Sequence, residues 1–414
     1  MKILFLDAYF FPEQIAFTHI EQDIMEGLVN AGHQIRVVCP TPTRGVTGET
    51  IKKYKRIKHE TLNGVEIFRF WAPCEGRNPF IRAFRYFWCH FRGNMIAKRH
   101  KDVDAMFAVS TPPTQGYFAS KAAAKLGVPL VFSLQDLFPD SLVTTGLTRE
   151  GSLLYKIGAR IEKKTYARSA RIIPLCETVR RSLLKKGVPE DKLITVNNWI
   201  DTDAVQPIKR EDNRLFEEFG IDRDRFVVVY AGNFGASQGA DVILRAASLL
   251  SDRQGITFMI FGGGTEFEKA QEIVQKERLT NVSMHPLLPA QRVSEVYSMG
   301  DVALITCKTG VGKTAVPSKL WSIMACNTPI IASFDTDSEL ADILKEARGG
   351  VCVEPEDPAA LAAAIDRAYQ ARSSVDFCSE AREYVIRCAS KQTCVEKYVH
   401  TIENCAETDA ADSR

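Results

Sequence analysis

The sequence predicts an α/β protein built from two doubly wound parallel sheets. Three observations carry that prediction. Short apolar, β-rich runs alternate with helical patterns along nearly the whole chain. The series stops at a polar stretch near 201–226 and then starts again. Glycine-rich turns stand where strands of the second series hand over to helices.

The first series reads "KILFLDAY", "QIRVVCP", "VEIFRFW", "AMFAVS", "PLVFSLQD", "RIIPLC" and "LITVNN". The second reads "FVVVYAGN", "TFMIFGGG", "VSMHPLL", "VALITC", "PIIASF" and "GVCVEP". Runs apolar on both sides suit parallel strands covered by helices on both faces. Strand–helix–strand alternation gives a doubly wound sheet. Thr18 and Glu21 form a capping-box pattern opening a helix that Gly32 should stop. Asp357-Pro358 opens another, with proline where a helix tolerates it. The proline-containing stretch "DTDAVQPIKREDNRLFEEFGIDRDR" reads as the linker. Two similar-sized sheet domains with a cleft between them are expected. They cover 1–205 and 206–375, followed by C-terminal helices over 376–405 and a disordered tail over 406–414.

Composition bounds the function classes. The chain has 414 residues, 45% of them hydrophobic and 25% charged, with net charge +2. No apolar run reaches the roughly 18 residues of a membrane span. The opening "MKILFLDAYFFP" is interrupted by Asp7 and reads as a buried strand rather than a signal peptide. Eleven cysteines without a Cys-x-x-Cys pair argue against a disulfide framework or a zinc site, and fit buried thiols in a reducing cytosol. Charge is uneven: residues 44–101 hold 14 Lys/Arg against 4 Asp/Glu, leaving the rest acidic. Such asymmetry points to an anionic partner for the basic part.

The glycine turns carry the site chemistry. In "VVVYAGNFGASQGADVILRAA", Gly232, Gly235 and Gly239 lie between strand and helix; "FMIFGGGTEF" repeats the pattern at Gly262, Gly263 and Gly264. Glycine lets backbone N–H groups approach an anion at a helix N-terminus. Two such turns at successive strand ends of one sheet favour a nucleotide site over packing alone. A third stretch, "TGVGKTAVPSK", imitates a P-loop, but the first glycine that motif requires falls on Cys307. Val316-Pro317 then keeps the helix from starting before Pro317. The free N–H groups there, with Ser318 and Lys319, make a better anion site.

"YAGNFGASQGADVILRAA", "FGGGTEFEKAQ", "VSMHPLLPAQRVSEVYSMGDVALI", "VPSKLWSIMACNTPIIAS" and "GGVCVEPEDPAALAAAI" resemble, in order, the donor domain of family-4 glycosyltransferases. "FFPEQIAFTHIEQDIMEGLVNAGHQIRVVCP", "SLQDLFPDSLVTTG" and "IEKKTYARSARIIPLCETVRRSLLKKGV" resemble that family's acceptor domain, most closely in its capsule, O-antigen and exopolysaccharide branch. The resemblance spans nearly all of residues 1–400. It implies the GT-B fold: two Rossmann-like domains facing across a cleft, the second holding a nucleotide-sugar, with the C-terminal helices over 376–405 crossing back to the first. It also implies retaining transfer without a metal or other cofactor. The implied donor residues are Gly232, Asn233, Gly235, Gly239, Gly262, Gly263, Leu288, Pro317, Ser318, Lys319 and Ser322.

The chain departs from the family pattern in places. Two glutamates expected around the last of these helices fall on Thr314 and Ser322. The usual Arg and Lys fall on Asn233 and Gln238. The usual acceptor-strand histidine falls near Gln135-Asp136, and the usual Gly-Gly after the first strand at about Ile15-Ala16. Lys319 and Ser318 are therefore expected to replace the missing diphosphate cations. Asp136 is the candidate acceptor-side catalytic group, with a turn or capping role as its alternative.

"NPFIRAFRYFWCHFRGNMIAKRHK" interleaves aromatics with cations. Phe80, Phe84, Phe87, Trp88 and Phe91 share one helical face. Either that face packs on the core, or it enters the headgroup layer while Arg82, Arg85 and Arg92 meet anionic lipid. Thr18 and His19 are expected on the same acceptor or membrane side. No nucleic-acid module accompanies the charge. The expected enzyme is a hexosyl- or N-acetylhexosaminyl-type transferase, cytoplasmic and peripheral at the inner face of the plasma membrane. Its donor would be a UDP-sugar, with GDP second, and its acceptor a polyprenyl-diphosphate-linked glycan. A GT-B sugar-nucleotide epimerase and a non-catalytic nucleotide-sugar-binding homologue are the alternatives.

Overall fold

A computed structural model describes residues 1–13, 17–75, 79–144, 147–314, 316–372 and 380–412, without the side chains of 79–80, 144 and 408–412. The Ile15-Ala16 position lies outside the described residues. The chain divides into two units, Met1–Asn197 with Cys394–Arg414, and Asn198–Thr393.

Unit 1 holds a seven-stranded sheet. Its strands are β1 (Lys2–Leu6), β2 (Gln34–Pro40), β3 (His59–Leu62), β4 (Val65–Phe70), β5 (Ala105–Val109), β6 (Leu130–Leu134) and β7 (Arg171–Pro174), in the order β3-β4-β2-β1-β5-β6-β7. All neighbours are parallel except β3 and β4. Phe5 of β1 pairs with Val37 and Phe107 at fully buried positions. β1 thus lies inside the sheet with a strand on each edge, the position its continuous apolar run suits.

Two strand expectations need correction. "HETL" at 59–62 forms β3, although its polar sequence carries no strand pattern. Its cause is the Asn63-Gly64 turn, where both residues take positive φ (49° and 80°), the geometry that fits the twist of a two-residue hairpin. "LITVNN", by contrast, makes a single bridge between Leu193 and Ile172 instead of a strand. Its buried residues, Leu193 and Val196, are three apart, which a period-two pleat cannot place on one face.

The first helix runs Thr18–Asn30 with Phe17 in the cap position, so Thr18 is its first residue rather than its cap. Glu21 closes no capping box. Its buried carboxyl hydrogen-bonds that of Asp7 at the end of β1, and burial holds both above the ordinary carboxylate range. Two acids this close share a proton rather than both ionise. Gly32 stops the helix as expected, with φ +85° and its N–H on Val29.

Unit 2 holds β8 (Phe226–Asn233), β9 (Ile256–Gly263), β10 (Val282–Pro286), β11 (Val302–Thr306), β12 (Ile330–Ser333) and β13 (Gly350–Val353), all parallel, in the order β10-β9-β8-β11-β12-β13. The order reverses beside β8, as it does beside β1 in unit 1. In such sheets the carboxyl ends next to the reversal are where ligands sit. The Asp357 side chain caps the helix Pro358–Gln370 by accepting from the Ala360 N–H at 2.9 Å.

The helix Ala381–Cys388 stays in unit 2, and the last helix, Lys391–Asp412, carries the chain into unit 1. It is fixed there by Tyr398, whose hydroxyl meets that of Ser133 at 2.9 Å, and by Glu403 on His33 at 2.9 Å. The segment from 406 continues this helix to Asp412 instead of forming an unstructured tail. "AETDAAD" contains good helix formers and neither glycine nor proline.

Candidate functional site

A pocket of about 470 Å³ lies at the carboxyl ends of the unit 2 strands. One wall is the end of β8, with Gly232 and Asn233, and the turn after it, with Gln238. A second is the loop after β10, from Leu287 to Ala290. A third is Val293, Val296 and Tyr297, and the floor is Pro317, Ser318 and Lys319. Of the expected donor residues, Gly232, Asn233, Leu288, Pro317, Ser318 and Lys319 are thus brought together.

Lys319 is the one charged side chain among the described lining residues. Its ammonium rests over the Tyr230 ring, 4.2 Å from the centroid. Among the described residues it has neither a carboxylate partner nor a hydrogen-bond acceptor. Burial alone lowers its pKa, to about 8. Gly232 lies against it: φ is +154°, and a Cβ there would displace the Lys319 ammonium. Asn233 and Gln238, in place of the family's cations, hydrogen-bond each other across the turn at 3.3 Å. Ser318 is exposed and makes no capping hydrogen bond. The helix proper starts at Lys319, two residues later than expected.

The other glycines shape the walls. Gly264 has φ +116° and abuts Asn233, while a Cβ on Gly262 would strike Phe267. The Gly263 carbonyl accepts the Phe234 N–H at 2.6 Å. Gly235 sits against the Asn233 and Gln238 side chains, and Gly239 (φ +54°) against the Cys307 carbonyl. Ser322 lies one turn along the helix from Ser318, outside the lining residues. Sequence reading passed over Tyr230. It ends a run of valines and looks like core, and the available signal was a hydroxylated aromatic two residues before the glycine turn.

The P-loop imitation is filled from within. Gly310 and Gly312 donate their backbone N–H groups to the buried Asp335 carboxylate, each at 2.8 Å. Lys313 pairs with Asp337 at 2.6 Å, and the Thr309 N–H and hydroxyl both donate to Glu356. The Gly310 and Gly312 N–H groups, the Thr309 donors and the Lys313 ammonium are thus already committed to carboxylates of the protein. Thr314, at one expected glutamate position, donates its hydroxyl to the Val311 carbonyl.

In unit 1, Asp136 stands at the surface beyond the end of β6. Its carboxyl accepts from the Ser141 hydroxyl and the Leu137 N–H, and partial burial pushes its pKa up. The cavity beside it holds only about 20 Å³. Thr18 is buried and His19 exposed.

The aromatic segment forms the helix Pro79–Ala97. One face packs inward: His90 contacts the Thr114 hydroxyl at 2.7 Å and stacks on Phe118, and the Asn94 amide donates to the Phe118 carbonyl. Arg85 belongs to this inner face and is fully buried, which corrects its assignment as a surface cation. It donates to the Thr43 hydroxyl at 2.9 Å, lies over the Tyr9 ring, and faces the buried Glu13 carboxylate at 3.9 Å. Glu13 is held in turn by the Thr43 and Arg44 N–H groups. Removing one partner of such a pair costs about 3–5 kcal/mol. The opposite face is open: Phe84, Phe87 and Phe91 are 55%, 60% and 49% exposed, with Ile81, Met95 and Trp71 alongside. Arg82 is exposed, Arg92 covers the Trp88 ring, and the Trp88 indole N–H donates to the Trp71 carbonyl at 2.8 Å. The Phe80 side chain lies outside the described residues. No described helix is long and apolar enough to cross a membrane.

Comparison with known proteins gives the family. Residues 20–199 match the glycosyl transferase 4-like domain, and 211–390 match the glycosyl transferases group 1 model. The chain is 24% identical over 411 residues to the putative colanic acid biosynthesis glycosyl transferase WcaI of Escherichia coli, covering 97% of this chain and all of that one. It is 27% identical over 241 residues to the probable glycosyltransferase WbjE of Pseudomonas aeruginosa, covering 58% and 60%. Among solved structures, Anabaena Alr3699/HepE in complex with UDP superposes with TM-score 0.71 at 14% identity, over 98% of this chain and all of that one. Two sheets in this strand order, an anion-ready pocket at the strand ends of the second, and these matches agree: the chain belongs to the family-4, group 1 glycosyltransferases and is a nucleotide-sugar-dependent transferase of GT-B fold.

Proposed function

We propose that the chain is a retaining hexosyl- or N-acetylhexosaminyl-type transferase. It moves a sugar from a UDP-sugar to a polyprenyl-diphosphate-linked glycan during surface-polysaccharide synthesis, at the inner face of the plasma membrane. The observation that carries this reading is the unpartnered Lys319 ammonium in the unit 2 pocket. As the bond between sugar and diphosphate loosens, negative charge gathers on the leaving diphosphate, and a desolvated cation stabilises that charge more than the ground state. UDP is favoured because the HepE structure holds it, and the polysaccharide role because WcaI is described in colanic acid biosynthesis. The exposed aromatic face of the helix Pro79–Ala97 supports a membrane-bound acceptor. Exposed apolar ridges of this kind mark interaction surfaces, and Arg82 adds charge for anionic lipid.

Lys319→Ala should weaken UDP binding about 10- to 100-fold, the value of one charge-assisted hydrogen bond. Lys313→Ala should leave UDP affinity within about twofold, since its ammonium is committed to Asp337. Titration calorimetry on both variants decides, and a larger loss from Lys313 would overturn the assignment.

Asp136→Asn should lower transfer at least about tenfold with donor affinity unchanged, because a group acting on the acceptor hydroxyl contributes in the transition state. Unchanged turnover would return Asp136 to its turn with Ser141.

Wild-type protein should sediment with vesicles containing anionic lipid, less at high salt but still measurably. Surface charge is screened over about 8 Å at physiological salt, whereas aromatic insertion is not. Phe87→Glu with Phe91→Glu should abolish sedimentation at every salt concentration while sparing UDP affinity. Wild type remaining in the supernatant at low salt would remove the membrane from the account.

A further inference from the structure

On the reading that unit 2 binds a nucleoside diphosphate, we propose that Tyr230 is a positioning residue: its ring face seats the Lys319 ammonium for the diphosphate, and its hydroxyl locks the glycine turn on the facing wall. Three observations meet at this side chain. The ammonium stands 4.2 Å from the ring centroid. The hydroxyl donates to the Asn233 carbonyl at 2.9 Å. The ring is 1% exposed and packs edge-on against Phe234, which packs edge-on against Phe267, so it has little freedom to move.

The choice of seat has a physical consequence. A carboxylate in place of the ring would fix the ammonium too, but it would neutralise the charge and have to be displaced by each arriving diphosphate. Lys313, on Asp337, and Lys186, between Asp140 and Glu162, are held in that manner. An aromatic face attracts the cation through its quadrupole and leaves the charge available on the other side. The collision that any Cβ at Gly232 would make with Lys319 shows how closely the turn is fitted around the seated ammonium.

Seating without neutralisation links binding to protons. The titratable groups lining the pocket besides Lys319 are Tyr297 and, beneath the ammonium, Tyr230, both raised by burial. Lys319 is therefore the group that titrates near pH 8 in the free protein. An arriving diphosphate favours its charged form. UDP binding should take up a proton at pH values above about 8, and affinity should fall as pH rises through that range. Uridine, lacking the diphosphate, should show neither effect.

The test is calorimetry of UDP and uridine across pH 7 to 9.5, in buffers of different ionisation enthalpy. Tyr230→Phe keeps the ring and should retain proton uptake, with UDP affinity within about threefold. Tyr230→Leu removes the seat and should weaken UDP roughly 5- to 30-fold, the range of a desolvated cation–π contact, and move the pH midpoint down. In a Lys319→Ala background the same Tyr230→Leu change should cost no more than Tyr230→Phe does, the share of the hydroxyl on the Asn233 carbonyl. Equal loss of UDP and uridine, or full loss in the Lys319→Ala background, would overturn the positioning role. Where Tyr230→Leu does not fold, phenylalanines carrying successive ring fluorines at 230 weaken the face at constant shape. UDP affinity should then fall stepwise, and a flat series overturns the proposal. If Lys319→Ala leaves UDP affinity unchanged, the donor site itself is misplaced; if only the Tyr230 series is silent, the donor site stands and the seat does not.

Discussion

A partly buried ammonium without a counter-charge is unfavourable in the free protein, and the unit 2 pocket is organised around one. Desolvation works against the charge on Lys319, which is why its pKa falls to about 8. The ring of Tyr230 offsets part of that cost without neutralising the charge. Gly232 leaves the space, and the turn it begins presents Asn233 and Gln238 to the same cavity. The order of the parallel strands brings the parts together. Reversal beside β8 opens a crevice at its carboxyl end, and the loop after β10 and the helix starting at Lys319 close around it.

The loop at 309–313 shows the opposite solution to the same problem. It too offers backbone N–H groups and a lysine, the ingredients of a phosphate cradle. Here Asp335, Asp337 and Glu356 take those donors, and the loop becomes a fixed wall instead of a site. The two lysines lie six residues apart in one stretch of chain. What separates them chemically is whether a carboxylate of the protein reached the cation before a ligand could.

Much of this was legible in the sequence, and the misses have physical causes. Twelve of the thirteen strands follow from apolar runs, because strands of a sheet covered by helices on both faces are written mostly in apolar residues. β3 was missed because turn chemistry at Asn63-Gly64 builds it, not the apolarity of its own residues. The capping box at Thr18 failed because Glu21 found Asp7, a contact across chain positions that a local pattern cannot contain. Arg85 was misplaced for a similar reason. Helical periodicity separates the faces of Pro79–Ala97, but it does not show that Arg85 finds a buried carboxylate, and Glu13 lies 72 residues away in sequence. The residues that line the unit 2 pocket were reached mainly through glycine and the Pro-Ser-Lys stretch. Tyr230 was hidden because its role depends on a side chain 89 residues later.

The central claim is that the donor's diphosphate belongs to Lys319 and not to the glycine loop that imitates a P-loop. The most direct measurement is a crystal structure with UDP bound. The account predicts a diphosphate oxygen within about 3 Å of the Lys319 ammonium, with Asp335 still accepting from Gly310 and Gly312. A diphosphate seated on Gly310–Lys313 with Asp335 displaced would contradict it.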